Sequence, residues 1–153
     1  MTARSGTPAG GDALRALAER LRAEDTPIAP HVVDPAEAPR LGELAASGPA
    51  TAAAPAEYAF VVEAVREGYL LHHEEPRLLA GHDPDLALLA GDYLYALGLD
   101  RLAALEDSHA VVVLSDLIGQ CARLQAEGNP EPIPDLWRDA ANRIAKGQAP
   151  GRR

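Results

Sequence analysis

The sequence predicts an all-α protein, a small antiparallel helical bundle behind a proline-rich and largely irregular N-terminal region. Three observations carry that expectation. First, apolar residues form 47% of the 153 residues and are mostly alanine and leucine. Aromatics are only 4%, and β-branched residues are sparse outside Val111–Val113. Such a composition favours helices over strands. Second, apolar positions after residue 54 recur at three- and four-residue spacing. Third, helix punctuation falls where those patterns begin and end: Asp83-Pro84 before one, Gly128-Asn129-Pro130 after another. The length suits one domain.

The expected organisation is a flexible Pro/Ala/Gly-rich region over 1–54, a helical bundle over 55–147 and a loose tail over 148–153. In the first region Pro27, Pro30, Pro35, Pro39 and Pro49 recur too often for a long helix. One short helix is expected from Asp12, as N-cap, to about Ala23, with Leu14, Leu17 and Leu21 at helical spacing. Residues 41–46 allow another turn or two. The first bundle helix runs from Pro55 to about Leu71, with a buried stripe of Tyr58, Val61, Val62, Val65, Tyr69 and His72. The second begins with Asp83 as N-cap and reaches about Leu105. The third starts near Asp107 or Ser108 and stops at Gly128. Its core face is Val111, Leu114, Leu117, Ile118, Cys121 and Leu124; its wet face is Asp116, Gln120, Arg123 and Glu127. The fourth spans about Asp135 to Lys146, with Leu136, Trp137 and Ile144 inward and Gly147 as stop. A link of about two residues at Glu106-Asp107 predicts an antiparallel hairpin of the second and third helices.

Charge and composition exclude several functions. A formal net charge of −9, from 14 basic and 23 acidic residues, argues against a nucleic-acid surface, which needs clustered Lys and Arg. Cys121 is the only cysteine, so an internal disulfide and a multi-cysteine zinc site are excluded, and its core position predicts an inert thiol. No apolar leader follows Met1, and no apolar run approaches the ~20 residues of a membrane span; the expectation is a cytoplasmic protein with no span. Ser115-Asp116 has no histidine at a placeable distance, and "PAGG" at 8–11 lacks the Gly-Lys-Ser/Thr ending of a phosphate loop.

The second bundle helix, "PDLALLAGDYLYALGLDRLAAL", is apolar almost all round and is expected to lie at the centre. Ala87, Gly91 and Gly98 fall near one face and permit close backbone approach. A mid-helix glycine costs ~1 kcal/mol against alanine, so two of them imply a packing reason. Asp92 is expected to be buried, with a tyrosine hydroxyl, Arg66, Arg77 or a histidine from 72–82 as donor. So apolar a helix under so thin a cover points to self-association or a larger helical partner, with Ala87, Gly91, Asp92, Tyr93 and Gly98 as interaction residues.

"LALLAGDYLYALGLDRLAAL", a short turn, and "AVVVLSDLIGQCARLQAEG" together resemble the all-α trans-polyprenyl diphosphate synthases. The likeness is closer to the small non-catalytic subunit (component I) of heterodimeric polyprenyl or heptaprenyl diphosphate synthases. It covers roughly 55–128, with Ala90-Gly91-Asp92-Tyr93 as its specific core. Catalytic members hold magnesium and diphosphate between two Asp-rich motifs. Here "HHEEP", 72–76, stands where the first would be, and no second exists. The resemblance therefore implies a partner role, in which a small subunit helps a larger catalytic one set product length. An alternative reading takes His72, Glu75 and His82 as a zinc or iron site of a small enzyme or sensor, although their spacing matches no defined motif. A ligand-free homodimer is a third reading.

Overall fold

Proline spacing sets the rhythm of the first third of the chain. The computed structural model describes residues 12–148. Helix α1 (Ala13–Ala23) is followed by a 3-10 turn at Ala29–His31. Helix α2 (Arg40–Ala45) follows Pro39, and a second 3-10 turn spans Pro49–Thr51. Four longer helices complete the order: α3 (Pro55–His73), α4 (Pro84–Ala104), α5 (Ser108–Ala126) and α6 (Ile133–Lys146). The class is all-α. Among the described residues the sole β pairing is an isolated antiparallel bridge between Val32 and Leu79. No described helix is long and apolar enough to cross a membrane.

Helix α3 occupies the centre. Its expected stripe is buried from Tyr58 to Tyr69, and His72 is half-buried. The opposite side is buried as well. Phe60, Ala64 and Leu71 join Leu14, Leu17 and Leu21 of α1 and Leu94 and Leu97 of α4 in one apolar cluster. Tyr58, Val61, Val62, Val65 and Tyr69 meet α5 and α6 residues such as Leu114, Leu117, Trp137 and Ile144 in another. The molecule is thus layered, with α1 and α4 on one side of α3 and α5 and α6 on the other.

Three expectations are corrected. The helix expected at the centre, α4, lies on the outside: Leu88 is 55% and Leu89 65% exposed. Its buried line is Ala90, Gly91, Leu94, Leu97, Gly98 and Leu102. Apolar residues occur on every side of this helix, so its periodicity carries no phase and does not single out the fully buried Leu94. The α4–α5 hairpin is also not a packed pair. Helix α4 lies along α3, whereas α5 leans mainly on α6. A short link fixes where two helices meet, not their directions. Glu106 turns the chain with φ 59°, and Asp107 then pins α5 to α3 by accepting from Ala110 N and from the Tyr58 hydroxyl, 2.7 Å away.

The third correction concerns the boundary at residue 54. Leu14, Leu17 and Leu21 are at most 1% exposed, and α2 approaches α3 so closely that a Cβ on Gly42 would lie 2.8 Å from the Ala59 carbonyl. The segment from residue 12 onward therefore builds core. Its helix begins without the expected cap, since the Asp12 side chain accepts no bond. The parts of the expected flexible region and loose tail at 1–11 and 149–153 lie outside the described residues.

Candidate functional site

The glycines of α4 serve the α3 contact. Gly91 faces Gly68: a Cβ on either would come within about 3 Å of the other's carbonyl oxygen. A Cβ on Gly98 would meet Val65 Cγ2 at 2.6 Å. The missing side chains are filled by the same chain, so this face is closed to a partner. Ala87 is half-buried against the α1 cluster. Tyr93 donates to Glu24 Oε1 and ties α4 to the end of α1. Burial pushes the Glu24 carboxyl upward, but hydrogen bonds from Tyr93 and Arg20 outweigh it and its pKa is lowered.

Asp92 is not the buried carboxylate expected from its apolar neighbours; its side chain is 73% exposed. Helix α4 turns it outward between Leu88 and Leu89 on one side and Ala96 on the other, where water solvates it. A histidine, one of the expected partners, lies within ion-pair distance: His72 Nε2 is 3.2 Å from Asp92 Oδ1, while its hydrogen bond goes to the Leu88 carbonyl oxygen, also 3.2 Å away. Both neighbours are acceptors, so Nε2 carries the proton.

The histidine and acid set at 72–85 does not assemble. His72 is held against α4, Glu75 is exposed, and His82 is half-buried with Nδ1 unpartnered. Among the described residues no three potential ligands converge on one point, so zinc or iron has no assembled site at His72, Glu75 and His82. Asp83 caps α4 as expected, accepting from Leu86 N at 2.8 Å. Burial raises the Cys121 thiol to about 11, consistent with an inert core cysteine.

The strongest polar constellation was not anticipated. Glu63 and Glu67, one turn apart on α3, are both fully buried. Arg77 reaches both: its Nη1 is 2.7 Å from Glu63 Oε1 and its Nε 2.8 Å from Glu67 Oε1. The remaining oxygens accept from backbone. Gly42 N donates to Glu63 Oε2, and Arg77 N and Leu78 N to Glu67 Oε2. Every carboxylate oxygen thus has a donor, which offsets the cost of burying two charges. The network joins α2, α3 and the 74–80 segment. "VVEAVREGYLL" announces it in one respect, because two glutamates four apart interrupt an apolar run.

Arg66 lies beside this network. Its guanidinium carbon sits 5.1 Å from the Trp137 ring centroid and 5.5 Å from that of Tyr69. The Tyr69 hydroxyl donates to Glu74 and accepts from Gln125, and burial lifts its pKa to about 12. Comparison with protein-family models, with curated proteins and with solved structures finds no match to this chain.

Proposed function

We propose that the protein is a non-catalytic helical interaction subunit that associates with a larger helical partner through the outer face of α4. The observation that carries the reading is the pair Leu88 and Leu89, 55% and 65% exposed. Asp85 and Asp92, three and four residues away on the same face, flank both leucines, and both acids are exposed. Two adjacent large apolar side chains gain from burial; complete burial of one leucine contributes ~1.5–3 kcal/mol relative to leaving it in water.

The flanking acids select the partner's chemistry. A second copy of this chain would set Asp85 and Asp92 against their counterparts, and like charges at an interface are costly. A different helical protein, with an apolar groove rimmed by lysine or arginine, fits better. The resemblance to small subunits of polyprenyl diphosphate synthases supplies a specific candidate, a catalytic prenyl synthase subunit. "HHEEP" in place of an Asp-rich motif supports assigning diphosphate ionisation to that partner.

The test is the double variant Leu88→Asp with Leu89→Asp. Both sites face solvent, so the fold should tolerate the change to within about 0.5 kcal/mol per site. Expressed in the native cell, the variant is expected to lose the helical subunit that wild type retains. Equal recovery of that subunit by both proteins would refute this use of α4.

A further inference from the structure

A second region, independent of the α4 face, holds a cleft lined by arginines. The start of α2, the middle of α3 and Arg77 enclose a cleft of about 190 Å³. Three arginines line it, Arg40, Arg66 and Arg77, together with Glu37, Glu63 and Leu41. Arg77 is committed to Glu63 and Glu67. Both oxygens of Glu63 are occupied in turn, by Arg77 and by Gly42 N.

Arg66 is left over. Among the described residues no carboxylate lies within ion-pair distance of its guanidinium. Residues 1–11 and 149–153 contain no aspartate or glutamate. The group is half-buried, and burial, reinforced by the neighbouring Arg77 charge, pushes its pKa down. Glu74 and Glu63 oppose that shift from nearby, but neither forms an ion pair with the guanidinium. Trp137 and Tyr69 support the guanidinium by cation–π contact. Such packing holds the group in place while its N–H donors stay free to pair with two oxygens of one anion.

We propose that this cleft binds a small oxyanion, the carboxylate or phosphate group of a soluble metabolite, with Arg66 as its principal contact and Arg40 at the rim. Arg77 contributes charge without leaving its glutamates. Glu37, exposed at the mouth, repels the ligand and limits its affinity.

The protein carries its own reporter, because Trp137 is the only tryptophan and lies beside Arg66. Trp137 fluorescence and thermal melting of the full chain are followed during titration with inorganic phosphate and, separately, with succinate, against chloride at matched ionic strength. At least one oxyanion is expected to give a saturable fluorescence change and a rise in Tm, and the responding arm names the group. Arg66→Gln should weaken that binding by about tenfold or more, the loss of a charge-assisted hydrogen bond. Arg40→Gln, at an exposed position, should weaken binding by a smaller factor, and Glu37→Gln should strengthen it. No saturable response to either anion beyond the chloride control overturns the site. So does undiminished binding by Arg66→Gln or, should that variant not fold, by Arg40→Gln.

Discussion

Arg77 is the residue on which most of the buried charge depends. Replacing it with methionine keeps the apolar stem but leaves Glu63 and Glu67, both fully buried, without their cation. Removing one partner of such a network costs ~3–5 kcal/mol. That is a large share of the ~5–15 kcal/mol by which domains are stable. Arg77→Met is therefore expected to shift the urea midpoint sharply downward or abolish cooperative unfolding; an unchanged midpoint would show the network to be dispensable. A second prediction concerns pH. Glu24 has its folded pKa lowered from the ordinary value of 4.5, so its contribution is complete above pH 4.5 and is lost as pH falls through the folded value. Tyr93→Phe removes a hydrogen bond to that carboxylate, costing ~1–2 kcal/mol near neutrality. It should flatten the acid limb of the stability profile, and a parallel displacement of the whole curve would contradict the assignment. At this scale the sequence shows which residues are unusual but not what they touch. Glu63 and Glu67 interrupt an apolar run visibly. Their cation lies 14 and 10 residues further on, beyond the end of α3, and only the fold of the 74–80 segment brings it back.

At the scale of elements, α3 and α4 make the most extensive contact, and their glycines permit it. Gly98→Ala would push a methyl against Val65, itself fully buried, and towards the Val61 carbonyl oxygen. Neither can yield without moving core, so the expected cost is ~1–3 kcal/mol, read as a lower Tm. At Gly91 the obstacle is the His72 ring, with the Gly68 carbonyl oxygen 3.0 Å away. Gly91→Ala should displace that ring and break its contact with Asp92, seen as a changed chemical shift of the His72 imidazole at fixed pH. An unaltered resonance would contradict the packing described. Helix boundaries were legible because caps and prolines are local. Asp83 closes onto Leu86 N, and Gly147 ends α6 with φ 78°. Which face of α4 turns inward was not legible from its apolar residues, because leucines surround the helix. Asp92 was the available clue. Read alone it suggested a buried charge, whereas together with Asp85 and Asp100, both also exposed, it marks the outer face.

For the whole molecule, composition and period sufficed for the all-α class, and the amphipathic pattern of α5 placed Asp116, Gln120, Arg123 and Glu127 on the outside as expected. The role of residues 12–54 was not readable, because proline density describes helix length and says nothing of docking. Leu14, Leu17 and Leu21 form the inner face of a short helix whose partner lies some forty residues further along the chain. Moving the centre from α4 to α3 also moves the proposed association surface. The glycine side of α4 is consumed within the chain, and its opposite side retains Leu88 and Leu89 in water. The mass of the complex purified gently from the native cell tests this account most directly. The account predicts a heteromeric assembly containing a larger helical subunit, well above the 16.1 kDa of this chain. A species of 16.1 kDa, alone and monomeric at physiological concentration, would contradict it.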